Sequence, residues 1–384
     1  MVLKVAARGA ISPFIVMDVL RAANERAASG ADVLHLEVGQ PGTPAPAPVI
    51  EAARRALDSD LLGYTDALGI PALRQGIAAH YRAQYGVELD PARVVVTTGS
   101  SGGFLLSFLA AFDPGDRVAL AAPGYPAYRN ILSALGVEPV ALEAEAEHRF
   151  QPTPELLEAA GGRLDGLIVA SPSNPTGTML DRAALSALID YCAARGIRLI
   201  SDEIYHGIGY GRPAVSALEL SGDAVVINSF SKYYSMTGWR LGWMVVPEQL
   251  LRPVECLCQN LFISAPTLSQ LAGVAALDCR AELDGYVASY GRNRDLLLRE
   301  LPAAGFERLA PADGAFYLYA DVSELTNDSE AFCRRMLAET GVATTPGIDF
   351  DPARGHRFLR FSFAGAESTM AAASARLKAW LKDG

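Results

Sequence analysis

The sequence predicts an α/β fold: a largely parallel central sheet with helices on both faces, plus a smaller α+β domain assembled from the two chain ends. Three observations carry this. Short, almost unbroken apolar runs at 94–98, 167–170, 197–201 and 224–228 alternate with longer stretches of helical periodicity, as strands buried on both faces and joined by crossover helices do. These runs stop at polar or glycine-rich residues, where an open α/β sheet forms its ligand crevice. From about Cys256 long helices dominate, and 316–320 and 358–363 read as strands of a second, smaller sheet. The boundaries that follow are 1–45 with 280–384 for the small domain and 46–279 for the large one.

In chain order, the apolar stretch 11–20 follows Lys4 and Arg8 but is broken by Pro13 and Asp18 and has no small-residue cleavage site. Phe14, Met17, Val19 and Leu20 leave one apolar face running into Arg21-Ala22-Ala23-Asn24-Glu25, which suits an amphipathic helix rather than a targeting segment. Residues 33–38 alternate as a strand and run into Gly39-Gln40-Pro41-Gly42. The Pro/Ala-rich 43–48 is a linker, 49–57 a helix, 63–69 a loop and 70–85 a helix. The strand at 94–98 ends in Gly99-Ser100-Ser101-Gly102-Gly103 and opens an apolar helix over 104–112. A strand at 117–121, a helix at 125–135, a strand at 167–170, a helix at 182–195 and strands at 197–201 and 224–228 complete the alternation.

Half of the 384 residues are hydrophobic and a fifth are charged, enough for a sizeable core without extended disorder. A net charge of −10 and a pI near 5.1 argue against nucleic acid and anionic membranes as partners. No run approaches the roughly 18 apolar residues of a membrane span. The five cysteines are scattered without zinc or redox spacing, as expected of reduced thiols in a soluble cytoplasmic protein. Glu203 and His206 have Glu-x-x-His spacing, but no second copy accompanies them, so no metal is expected.

The stretch that organises the chain is Ser229-Phe230-Ser231-Lys232, directly after the strand at 224–228. One lysine therefore sits past a strand end among hydroxyls, aromatics and Arg240. Partly desolvated, such an amine loses its proton well below its ordinary value of about 10.4 and becomes a nucleophile towards carbonyls. Left in water, it is an ammonium capping a strand. Asp202 closes the strand at 197–201, Tyr205 lies one turn on, and Asn174 follows the strand at 167–170. A lone Asp there caps a turn; polar groups at successive strand ends point to a site.

The small residues 99–103 expose backbone N–H groups at a helix amino end, a ready anion site. They also fit Gly-x-Ser-x-Gly, the nucleophile elbow of an α/β-hydrolase. That reading makes Ser101 the nucleophile, with Asp202 or Asp321 and His356 as partners, and leaves Lys232, Asn174 and Arg240 without a role. Neither a Walker lysine loop nor Gly-x-Gly-x-x-Gly is present. A phosphate-bearing aldehyde accounts for all of these residues: the lysine meets the aldehyde, a carboxylate meets a ring nitrogen, and a helix amino end with an arginine meets the phosphate.

Ser229-Phe230-Ser231-Lys232 with Met236-Thr237-Gly238-Trp239-Arg240-Leu241-Gly242 resembles the lysine motif of class I/II aminotransferases, the pyridoxal-phosphate enzymes of fold type I. Residues 172–177 match the family's Asn-Pro-Thr-Gly loop, 201–205 its Asp-x-x-Tyr and 63–69 its Tyr-containing loop, so the resemblance covers essentially the whole chain. It implies pyridoxal 5'-phosphate as cofactor and reversible amino transfer between an amino acid and a 2-oxo acid. Lys232 would form the internal aldimine and move the α-proton. Asp202 would pair with the pyridinium nitrogen, and Tyr205 and Asn174 would bond the ring hydroxyl. Ser100, Ser101 and Gly102, with Ser229 and Arg240, would hold the phosphate, and Tyr125 would stack on the ring.

The resemblance also implies that Arg360 receives the substrate α-carboxylate, with Gly39 and Asn174 beside it. Tyr64 would reach the phosphate of the neighbouring subunit, which makes the protein a homodimer with shared sites. Without the resemblance, Arg360 on an apolar strand reads as a cation paired with a distant Asp or Glu. A β-elimination lyase on the same fold is the alternative activity. Ser101 stands where some aspartate-preferring relatives carry a lysine, which weakens an aspartate assignment.

Overall fold

The computed structural model describes residues 3–383. The first five helices are α1 (Ile15–Ala28), α2 (Ala47–Ser59), α3 (Pro71–Tyr85), α4 (Gly99–Ala111) and α5 (Pro126–Leu135). A short strand β1 (Leu34–His35) precedes the central sheet, which comprises β2 (Val94–Thr97), β3 (Arg117–Ala122), β4 (Glu138–Glu143), β5 (Gly166–Ala170), β6 (Arg198–Asp202), β7 (Val225–Ser229) and β8 (Gly242–Val245). Its order is β2-β8-β7-β6-β5-β3-β4, and only β8 runs antiparallel to its neighbours. The smaller sheet is antiparallel throughout. It contains β9 (Arg308–Leu309) and β10 (Tyr317–Asp321). After β11 (Val342–Ala343), which pairs in parallel with β1, come β12 (Thr345–Pro346) and β13 (Phe358–Ser362).

Alternate residues of the central strands serve two cores, as a period of two requires. Val96, Leu167, Leu199 and Val226 pack with Tyr81 and Leu188 on one face. Val95, Ile168, Ile200 and Ile227 pack with Phe104 and Phe108 on the other. Each such side chain contributes about 1.5–3 kcal/mol by leaving water. A third core joins Leu36 from the start of the chain to Phe306, Phe316, Leu359 and Phe361 beneath the smaller sheet. The two chain ends therefore build one α+β unit.

Register brings the polar strand ends together. Ala170 pairs with Asp202 and Asp202 with Ile227, while Thr97 and Ser229 both face Gly242 across β8. Position 242 admits only glycine: a Cβ there would lie 2.8–2.9 Å from Gly99 C, Asn228 O and Ser100 N. That missing side chain lets the turn after β2 lie against the end of β7.

Among the differences from the sequence reading, four concern the elements around the central sheet and β1. The strand expected at 33–38 is paired only at Leu34–His35, because β11 offers just two residues to pair with. The helix expected at 104–112 begins five residues earlier, at Gly99; glycine and serine are weak helix formers, but the docked turn fixes them. The edge strand β4 was not expected, since Pro139 and two glutamates obscure it; an edge tolerates proline. The four-residue β8 follows the lysine loop so closely that it carries no pattern of its own.

Candidate active site

The carboxyl ends of β2, β5, β6 and β7 open onto one cavity of about 480 Å³, within the range of small-molecule sites. One end of it suits an anion. The first N–H groups of α4 have no intrahelical acceptor, and Ser100 and Ser101 of that turn line the cavity beside Ser231, Thr237 and Arg240. Arg240 Nη1 donates to the Thr237 carbonyl at 2.9 Å, and its guanidinium lies where a side chain on Gly99 would be, 2.5 Å from that position. Gly99 has φ +71, a backbone region open to glycine. Arg240 forms no ion pair among the described residues, so its charge is uncompensated.

Lys232 occupies the middle. Its Nζ donates to the Gly39 carbonyl at 2.6 Å. Burial, with Arg360 and Arg240 adding to it, pulls the amine down to about 8, against the attraction of Asp202. Asp202, at the end of β6, is 4 % exposed. Burial pushes its carboxyl up to about 6, while the Tyr128 hydroxyl and the Ile204 N–H, 3.0 Å from Oδ1, favour the charged form. Tyr125 lines the same wall, a neutral phenol that burial pushes up to about 12.

Arg360 on β13 closes the far end, 2 % exposed. Its Nη1 donates to Asn174 Oδ1 at 2.8 Å, and its Nη2 to the Glu37 carbonyl and to Thr345 Oγ1 at 3.2 Å. The guanidinium lies 4.4 Å from the centre of the Tyr317 ring and 4.8 Å from that of Phe350. Its hydrogen-bond acceptors are all neutral, and its Nε has no partner among the described residues. The distant carboxylate that an ion pair would need is absent from this set. Asp349, a buried carboxylate, acts on it only through space, and a buried cation without a direct ionic partner is costly unless a ligand supplies one.

Most residues singled out from the sequence line this cavity: Gly39, Ser100, Ser101, Tyr125, Asn174 and Asp202, and with them Tyr205, Lys232, Arg240 and Arg360. Three do not. Gly102 lies deeper in α4, where a Cβ would meet Thr98 Oγ1 at 2.7 Å. The Ser229 hydroxyl sits behind Ser231, between Ser231 Oγ at 2.9 Å and the Leu241 carbonyl at 3.1 Å. Tyr64 is 83 % exposed and outside the cavity of its own chain. Tyr205 bonds Tyr317 Oη at 2.7 Å. His356, the base a hydrolase would need, does not line the cavity. Glu203 and His206 lie 3.5 Å apart and buried, with Ser216 and the Ala217 N–H completing Glu203.

Sequence reasoning missed Ser231, Thr237, Tyr128, Tyr317 and the apolar wall of Phe14, Val16, Met17 and Leu20. Tyr128 carried a usable signal: it is one helical turn from Tyr125, so the helix expected there already put both on one face. Ser231 and Thr237 stand within the lysine motif itself, next to Lys232 and three residues before Arg240; Tyr317 and the apolar wall are brought in by tertiary packing.

The sequence matches the family model for aminotransferase class I and II over residues 31–377. It is 55% identical over 382 residues to the valine–pyruvate aminotransferase of Mycobacterium tuberculosis, covering 98% of each chain. It is 33% identical over 367 residues to the aspartate/prephenate aminotransferase of Thermus thermophilus, covering 94% of each. The crystal structure of an aminotransferase from Mycobacterium tuberculosis superposes with a TM-score of 0.98 at 54% identity, over 100% of both chains. The chain thus belongs to the class I and II aminotransferases, enzymes that transfer the amino group of an amino acid to a 2-oxo acid.

Proposed function

We propose that the enzyme is a homodimeric pyridoxal-phosphate aminotransferase that uses a small apolar amino acid such as valine as donor and pyruvate as acceptor, with the cofactor held by a large domain at 46–279. The apolar wall carries the substrate reading. Phe14, Val16, Met17 and Leu20 face the cavity, and the cations that line it among the described residues are Lys232, Arg240 and Arg360. With Arg240 at the anion end and Arg360 on the α-carboxylate, an acidic substrate side chain would find no cation in this chain. The relative named for valine and pyruvate supports the same pair. The five free cysteines suit a reducing cytoplasm, and among the described residues no helix is long and apolar enough to cross a membrane.

The residues fit the cofactor. An uncompensated arginine at a helix amino end suits a phosphate, and a buried carboxylate suits a ring cation, which favours its charged form against burial. When bound, pyridoxal phosphate supplies an aldehyde for the amino group and a ring that accepts the electron pair released at the substrate α-carbon. Lys232, partly neutral at physiological pH, takes the proton from the α-carbon and returns one. Asp202, oriented by Tyr128 and the Ile204 N–H, holds a proton on the ring nitrogen. Tyr125 would pack on the ring, and Tyr205 and Asn174 would bond its hydroxyl.

Ser100, Ser101 and Arg240 would bind the phosphate, with the Gly102 N–H of the same turn; Ser229, behind Ser231, would act through the Ser231 hydroxyl, and Tyr64 would reach the phosphate of the neighbouring subunit. Arg360 grips the substrate α-carboxylate through two parallel hydrogen bonds, with Gly39 and Asn174 beside it.

A panel of amino acids offered to the purified holoenzyme with pyruvate or 2-oxoglutarate tests this, keto acid and ammonia being scored separately. Valine with pyruvate should rank among the fastest pairs. A preference for aspartate would overturn the substrate reading, and ammonia release without amino transfer would make the enzyme a lyase.

A further inference from the structure

Helix α1 supplies the apolar wall, yet it cannot cap itself. Its N-cap residue, Phe14, offers no side-chain acceptor, and a helix start leaves its first N–H groups unpaired. The acceptors arrive from the other end of the chain: Asp349 Oδ1 takes the Ile15 N–H and Oδ2 the Val16 N–H, each at 3.1 Å. Asp349 is fully buried on the turn Gly347–Asp349 between β12 and β13, the strand that carries Arg360. It is itself fixed to α5, since Arg129 Nη2 donates to its carbonyl at 2.6 Å. The same helix steadies the segment before α1: Asn130 Nδ2 reaches the Ser12 carbonyl at 3.4 Å, and Phe14 sits edge-on to Tyr125 with ring centres 5.7 Å apart.

We propose that Asp349 is a positioning residue for substrate selectivity: by capping α1 from across the fold, it sets how closely Phe14 and Met17 stand against the substrate side chain. This rests on the apolar-substrate reading of the same cavity. The geometry distinguishes it from a general staple. The capped residues Ile15 and Val16 lie between Phe14 and Met17 in sequence, and Phe14, Val16 and Met17 all line the cavity. Release of the cap therefore loosens the first turn of α1, which forms the wall, while α4, Lys232 and Asp202 stay in place. On this proposal a branched substrate would pack on that wall more closely than a short one.

Asp349→Asn keeps the volume and one acceptor but turns an NH₂ towards the second N–H; Asp349→Glu retains the charge one methylene further out. In the holoenzyme, Asp349→Asn should raise KM for valine relative to that for alanine about tenfold, the size of one lost charge-assisted hydrogen bond, and leave both kcat values within about twofold; the charge it removes near Arg360 acts on the α-carboxylate of both substrates alike and cancels in that ratio. Amide exchange of residues 14–18 should quicken, with the cofactor absorbance unchanged. Asp349→Glu should recover part of the valine KM. Equal losses for valine and alanine, or unaltered exchange of 14–18, would overturn the proposal. If the wild type proves to use another amino-acid series, the substrate reading fails on its own. The role of Asp349 then stands or falls on whether Asp349→Asn changes the ratio between the longest and shortest members of that series.

Discussion

Tyr128 on α5 donates its phenolic hydrogen to Oδ2 of Asp202 at the end of β6, so the buried carboxylate enters the site with one oxygen held by α5 and the other by the Ile204 N–H. A donor to the charged form lowers a carboxyl pKa. Tyr128→Phe should therefore move the acid limb of the kcat/KM profile to higher pH by about one pH unit, since a hydrogen bond to a charged group contributes about 1.5–3 kcal/mol. An unmoved limb at full rate would make the contact incidental.

Asp202→Ala should leave the cofactor bound but nearly inert. Loss of one member of a buried charged pair is costly, and kcat should fall by about 10²–10³-fold. Asp202→Asn keeps a hydrogen bond without the charge and should resemble the alanine variant in rate. Turnover is measured against cofactor content by absorbance, and near-normal turnover would reduce Asp202 to a turn cap.

Lys232→Ala should abolish the covalent link while the phosphate contacts keep some cofactor. After borohydride treatment, mass spectrometry should find the adduct on the wild type at Lys232 and none on the variant. With the amine near 8, the rate of adduct formation by cofactor-free protein should climb as pH rises through about 8 and level off above it, because only the neutral amine attacks. A wild type that takes up no pyridoxal phosphate would remove the cofactor from the account.

Arg360→Lys replaces a planar fork by a point charge. It should raise KM for amino acids and lower kcat, together by about 2–4 kcal/mol in transition-state terms. Simple amines, which lack the carboxylate, should suffer far less. Equal losses for both would return Arg360 to a structural role.

Tyr64, 83 % exposed in the single chain, should become buried against the neighbouring subunit. Sedimentation should give a dimer, and Tyr64→Phe should loosen the cofactor. In mixed dimers with Lys232→Ala, the defect should fall on the site opposite the altered Tyr64. A fully active monomer would contradict this.

The residues that end apolar strands were the legible part of this molecule. Asp202 and Lys232 each follow a run whose pattern announces a buried strand, so their place at the sheet edge follows from the run itself. Arg360 was legible as a charge on an apolar strand, but its neighbours were not, since the Glu37 carbonyl and Thr345 come from different chain segments. Asp349 was invisible for the same reason, its partners being 333 and 334 residues away. Tyr64 illustrates another limit: in one chain it touches no part of the cavity. The strands β4 and β8 were hidden by proline, charge and brevity, features that describe an edge or a short insert rather than a buried run.

The bond from Arg360 to the Glu37 carbonyl spans 323 residues, and that span has a meaning during synthesis. At ribosomal speeds of about 5–20 residues per second, roughly 16–65 s separate the two residues' emergence. Meanwhile the segment around Leu36, which belongs beneath the smaller sheet, has no finished surface to lie on. The central sheet and the turn after β2 can form first, but the surroundings of Arg360 are complete only when β13 folds back onto the start of the chain. On the proposed assignment, a nascent chain would acquire the means to retain a phosphate well before it could select an amino acid. Chaperone dependence should concentrate on the early segment rather than on the lysine loop.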